Sequence, residues 1–99
     1  MPAYVIVEIE VLDPDAYERY KPLAQESIAR HGGRYLARGG RTHVLEGERA
    51  PKRLVVLEFP SLEAARAWHA SEDYAPAKAL REAHARTEMI VVDGLERPI

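Results

Sequence analysis

The sequence contains no cysteine. That one absence excludes disulfides, thiolate metal sites and thiol nucleophiles together. No apolar run approaches the roughly 20 residues that a membrane-spanning helix needs. The opening residues already include Glu8 and Glu10, so no basic n-region leads into an apolar h-region. A cytoplasmic location, with no membrane partner, is the default expectation. An excess of positive charge is missing too: 14 Lys and Arg stand against 16 Asp and Glu, for a formal net charge of −2. That balance disfavours a nucleic-acid partner. The four histidines, His31, His43, His69 and His84, have none of the zinc-type spacings. His69 and Asp73 are four apart, but across an expected helix break. No metal and no cofactor is therefore expected. A haem would need His69 or His84 aimed at a cavity, and a surface or helix-end histidine is the simpler reading of each.

What is present is the composition of one globular domain, 1–99: 99 residues, 46% hydrophobic and 30% charged. A chain this short buries only about two-thirds of its unfolded surface, so further burial in an oligomer would help it.

The organising stretch is Arg53-Leu54-Val55-Val56-Leu57-Glu58-Phe59. Its apolar, partly β-branched run fits a central strand, stopped by Pro60, with Ser61 as the cap of a following helix. Period-2 geometry puts Val55, Leu57 and Phe59 on one face and Leu54, Val56 and Glu58 on the other. Ala3 to Val11 alternates in the same way, with Val5, Val7, Ile9 and Val11 opposite Tyr4, Ile6, Glu8 and Glu10. Asp13-Pro14 starts a helix that should run to about His31 and end at Gly32-Gly33. Tyr17, Tyr20, Ala24, Ile28 and His31 form its inner stripe, and Pro22 predicts a kink or break. Arg34 to Arg38 reads as a strand, Gly39-Gly40 as a bend, and Thr42 to Glu46 as extended again. Leu62 to Ala70 is a short helix with Leu62, Ala65 and Trp68 on one face. A second piece, capped by Ser71 or Asp73, should reach Arg86 with Tyr74, Ala77, Leu80 and His84 inward. Glu88 to Gly94 is the last strand and Leu95 to Ile99 a tail.

The order β-α-β-β-α-β predicts an α+β, ferredoxin-like domain: an antiparallel sheet with the first and third strands in the middle and helices on one face. The other face carries Tyr4, Ile6, Leu54 and Val56 among its glutamates. It is too apolar to face water, which predicts a two-fold homodimer packed sheet to sheet.

The segments AYVIVEIEVLDPDAYERY, GGRYLARGG and VLEGERAPKRLVVLEFPSLEAARAWHASEDYAPAKALR resemble the domain-of-unknown-function family 1330 over nearly the whole chain. The resemblance implies a ferredoxin-like fold of the dimeric α+β barrel group, with a pocket between helices and sheet. That group includes cofactor-free monooxygenases, haem-degrading enzymes, chlorite-dismutase-like proteins and lactone isomerases. The family carries no established reaction, so it transfers no catalytic residue.

Three groupings could carry chemistry. Glu8 and Glu58, on adjacent strands with matching parity, are the candidate catalytic residues. They either share a proton, with one pKa raised into general-acid range, or pair with Arg34, Arg38 or Arg53. Arg38-Gly39-Gly40-Arg41 either holds an anion through guanidinium and backbone N–H groups or is a structural bend. Tyr17, Tyr20, Trp68 and Tyr74 point at the sheet, with Arg81 seven residues beyond Tyr74 on the same side. They form either a satisfied core or a ligand site, in which Arg38, Arg81, Tyr17 and Tyr74 are the binding residues. Two functions follow. One is a homodimer binding a small hydrophobic or anionic molecule in a helix–sheet pocket. The other is a cofactor-free monooxygenase- or isomerase-like enzyme with Glu58 or Glu8 as base and Arg38 or Arg81 as anion clamp. RNA binding on the sheet is disfavoured, because that face carries glutamates and lacks stacked aromatics.

Overall fold

The computed structural model describes residues 1–96. Four strands, β1 (Ala3–Val11), β2 (Arg34–Arg38), β3 (Arg53–Phe59) and β4 (Ala85–Asp93), form one antiparallel sheet in the order β2-β3-β1-β4. Three helices, α1 (Pro14–Arg30), α2 (Leu62–His69) and α3 (Ala75–His84), complete a ferredoxin-like α+β fold. The two strands with the cleanest alternation are the central pair. Val5, Val7 and Ile9 of β1 and Val55, Leu57 and Phe59 of β3 are all buried in the core. At roughly 1.5–3 kcal/mol per buried aliphatic side chain, this shared face is a main source of stability.

The caps follow the sequence. The Asp13 carboxylate accepts from the backbone N–H of Asp15 and Ala16, and Ser61 Oγ accepts from Ala64 N at 3.0 Å. Ser71, rather than Asp73, orders the turn before α3 by accepting from Tyr74 N at 3.1 Å. Asp73 instead faces His31, at 3.3 Å.

Four expectations are corrected. Pro22 does not break α1, which is continuous from Pro14 to Arg30. Pro22 is exposed, so the Glu18 carbonyl that it leaves without a partner can be satisfied by water. Thr42 to Glu46 is not a strand; residues 41–50 are all exposed and have no strand to pair with. The third helix ends at His84 rather than Arg86, and β4 starts at Ala85 rather than Glu88. The reason is the length of β1: its register runs out to Val11 opposite Ala85, and the N–H groups of Leu12 and Asp13 donate to the His84 carbonyl. His84 is consequently not on an inner stripe but half-exposed at the helix end, with Nδ1 3.7 Å from Asp13. Of the expected tail, Leu95 and Glu96 are exposed and 97–99 lie outside the described residues.

Among the described residues no helix covers the second face of the sheet. It carries Ile6, Leu36, Ile90 and Val92 exposed to solvent, Ile90 at 62%. Among the described residues no helix is long and apolar enough to cross a membrane.

Gly33 marks where β2 leaves α1. A Cβ there would lie 2.6 Å from the Phe59 ring and 2.8 Å from Ile28 Cγ2, both fully packed, whereas one at Gly40 would meet nothing within 4 Å. Gly33→Ala should therefore lose about 1–3 kcal/mol in urea unfolding, and Gly40→Ala should be close to neutral.

Candidate functional site

The backbone of α1 packs against α3 and stands off from the strands. Large side chains bridge that gap. Tyr17 and Tyr20, three apart on α1, stack with ring centroids 5.3 Å apart. The Tyr20 and Tyr74 hydroxyls are 2.9 Å apart, and Arg81 Nε donates to the Tyr74 hydroxyl at 3.2 Å. Trp68 Nε1 donates to Ser27 Oγ at 3.0 Å, and Ser27 Oγ donates in turn to the Ala24 carbonyl. The expected Tyr17–Tyr20–Trp68–Tyr74–Arg81 grouping is thus one connected cluster. Ser27 was not anticipated; a serine on an apolar helix stripe with a tryptophan on the facing helix is the signal that could have found it.

On the β2–β3 side, Arg53 Nε donates to the Tyr17 hydroxyl at 3.2 Å. Arg38 lies 4.4 Å over the Tyr35 ring and donates to Gln25 at 2.9 Å. Gly39 makes this possible. Its φ of +68° suits glycine, and a Cβ there would collide with the Arg53 guanidinium. The Arg38–Arg41 element is therefore divided: Arg38 turns toward the helices, while Arg41 lies with Thr42 and His43 around a separate open hollow. Arg53 and Tyr35 share the parity of the core-facing residues on their strands, and that parity was the sequence signal for both.

Of these groups Tyr17, Tyr20, Tyr35, Arg38 and Trp68 line a cavity of about 20 Å³, room for about one water molecule, whereas Tyr74, Arg81 and Arg53 lie outside its lining. Val7, Ile9, Val55 and Leu57 form its floor. Tyr17, Tyr20 and Tyr35 supply its phenols, Arg38 and Lys21 its cations, the latter paired with Glu18 at 2.9 Å, and among the described residues no carboxylate lines it. Burial, then the neighbouring Tyr74 hydroxyl, pushes the Tyr20 phenol well above its ordinary pKa, so it stays a donor. Burial likewise raises Tyr35. Arg81 is 7% exposed, and among the described residues no carboxylate lies within 4 Å of Arg38, Arg53 or Arg81. A buried guanidinium without an anion is uncommon. Here one hydrogen bond to Tyr74 and a place in the last turn of α3, at the negative end of the helix dipole, offset part of its cost.

Glu8 and Glu58 do not form a proton-sharing pair. Glu8 faces Leu54 and Glu58 faces Tyr4 in the β1–β3 register, which separates them by about 13 Å along the strands. The shared parity was right; the antiparallel register put them at opposite ends of the face. Each has its own cation. Arg34 forks onto Glu58 with nitrogens at 3.2 and 3.4 Å, and Arg49 Nη2 lies 2.6 and 2.5 Å from the two Glu8 oxygens. The sheet stands between both carboxylates and the tyrosine–arginine cavity. Among the described residues no group of three or more His, Asp or Glu is placed to hold a metal ion.

The family whose description is "Domain of unknown function (DUF1330)" matches residues 2–95. The chain belongs to that family. Among solved structures it is similar to a protein of unknown function from Rhodopseudomonas palustris, at 20% identity over 97% of this chain and 84% of that one, with a TM-score of 0.75. It is also similar to SnoaB from Streptomyces nogalater, described as a cofactor-independent oxygenase, at 16% identity over 97% and 95% of the two chains (TM-score 0.65). A third is a dimeric ferredoxin-like protein of unknown function from Jannaschia sp. CCS1, at 15% identity over 95% and 100% (TM-score 0.66). At these identities the likeness is one of fold. No curated protein matches the chain.

The hydrogen bond from Arg49, then that from the Lys52 backbone N–H, holds the Glu8 carboxyl below its usual pKa. A carboxylate depressed in the folded state contributes stability above its unfolded pKa and loses it as pH falls through the folded one. NMR titration should find Glu8 ionising below the ordinary glutamate range in the wild type, and returning toward that range in Arg49→Gln. A Glu8 pKa above the ordinary range would restore the general-acid role.

Proposed function

We infer that this protein is a homodimer that binds a small apolar anion in the cavity between α1 and the sheet. One observation carries the reading: among the described residues the polar groups around the cavity are phenols and cations only, with Arg81 buried behind them and no carboxylate within 4 Å of it. Phenolic O–H groups and guanidinium forks are the donors that a carboxylate, phenolate or enolate requires. Arg81 donates to the Tyr74 hydroxyl, and in the arrangement in which Tyr74 then donates to Tyr20 the Tyr20 proton is left for the ligand. The cavity is small as it stands, and the long side chains of Lys21 and Arg38 at its rim are the ones that would swing aside on entry. Arg38, Tyr17 and Tyr74–Arg81 are the proposed binding residues. The uncovered apolar face supports the second copy, and the Jannaschia protein is one dimeric example of the same fold.

A second reading is a cofactor-free oxygenase or isomerase, favoured by the likeness in fold to SnoaB. In it Arg38 and Arg81 would orient the anion. The base is its weak point. Glu8 and Glu58 face away from the cavity of their own protomer, and a phenol with a raised pKa donates rather than abstracts a proton. They could serve only a substrate at the seam between two sheets. Binding therefore stands first.

Native mass spectrometry of protein purified without added ligand should give a dimer with a reproducible excess mass. Arg81→Met should lose that excess while remaining dimeric and at least as stable, because removing an unpaired buried charge is not destabilising in itself. A bare wild-type dimer would remove the ligand, and a monomer the assembly. Oxygen uptake on addition of the extracted molecule would favour the enzyme.

A further inference from the structure

The inner faces of the strands are not equally covered. Val5, Val7 and Ile9 of β1 and Val55, Leu57 and Phe59 of β3 are buried, but Met89 and Val91 of β4 are only half-buried. The short α2 spans just eight residues and cannot cover the edge strand as well. The result is a second cleft, of about 160 Å³, between α2 and β4. Val5, Ala65, Trp68, Met89 and Val91 make its apolar walls, and Arg66 and His69 stand at its mouth. Only Trp68 and Met89 are shared with the tyrosine–arginine cavity, so they form a partition between the two.

We propose that the α2–β4 cleft is a separate binding site for a single-ring aromatic carboxylate, with the ring against Trp68 and Met89 and the carboxylate on Arg66. Three observations carry it. The volume matches the ligand: an apolar cavity of about 150 Å³ accommodates one benzene-sized molecule. The walls match its ring, since the Trp68 indole N–H is already committed to Ser27, and a methionine thioether packs well against aromatic edges. The mouth matches its charge. Arg66 is exposed and, among the described residues, has no carboxylate within 4 Å. His69, one helical turn on, flanks it. Burial first, and the nearby Lys78 and Arg81 next, hold His69 below its ordinary pKa, leaving a neutral ring with one N–H to offer a carboxylate oxygen. The site does not depend on the reading given above for the α1 cavity.

The test uses benzoate and its uncharged counterpart, benzyl alcohol, followed by NMR on the intact protein. Val91 and Ala65 line only this cleft and Tyr20 only the other cavity, so intermolecular NOEs locate the probe in the wild type without any variant. Benzoate should bind saturably below about 10 mM, with NOEs to the Val91 and Ala65 methyls. Arg66→Gln, an exposed and structurally mild change, should weaken benzoate about tenfold and leave benzyl alcohol unchanged. Absence of saturable binding would overturn the proposal, as would equal effects of Arg66→Gln on both probes or none on either. NOEs from benzoate to Tyr20 instead would overturn it while supporting the α1 cavity as the ligand site.

Discussion

Two hydrogen bonds from α1, one that Ser27 accepts from Trp68 of α2 and one between the hydroxyls of Tyr20 and Tyr74 at the start of α3, fix how the helical layer sits on this sheet. Each ends on a large ring buried in the core, where an unmade bond would cost the full desolvation of its polar group. Apolar packing alone would let α1 slide over the valines below it, because burial is not directional. These bonds are directional, and they set the stand-off of α1 from the strands. The aromatic side chains, the small cavity and the position of Arg81 all follow from that spacing.

The same constraint sorts the charges. Carboxylates occur on the outward face of the central strands, where Arg34 and Arg49 meet them in solvent, and such exposed pairs contribute little to stability. The guanidiniums of Arg38, Arg53 and Arg81 turn to the helix side, where phenolic oxygens, an amide and aromatic faces receive them instead of carboxylates. A sheet with its paired anions on one side and, on the other, three guanidiniums with no carboxylate within 4 Å among the described residues is suited to attracting a negatively charged apolar molecule into the helical layer. It is poorly suited to carboxylate general-base chemistry in that layer.

Much of the architecture was legible because it rests on local periodicity. The alternation in Ala3–Val11 and Arg53–Phe59, the Asp13-Pro14 and Ser61 caps and the Gly32-Gly33 stop each act within a few residues, and each appears where the sequence puts it. The errors lie where a distant partner overrides a local signal. Ala85 and Arg86 join a strand rather than a helix because β1 offers them a ladder. Thr42 to Glu46 has strand-like composition but no neighbour to pair with. Pro22 is tolerated because its side of α1 faces water.

Face and parity were thus settled by the chain itself, since the period-2 and 3.6-residue repeats of backbone geometry act on neighbours in sequence. They were enough to put Glu8 with Glu58 on one face, and Tyr17, Tyr20, Trp68 and Tyr74 on the other. Distance along those faces was decided only by tertiary structure. Antiparallel register placed the two glutamates at opposite ends of the sheet. Helix stand-off and a short α2 left one cavity nearly filled and opened a larger cleft at the edge strand. No periodicity encodes register or stand-off, because both are properties of pairs of elements whose residues lie tens of positions apart.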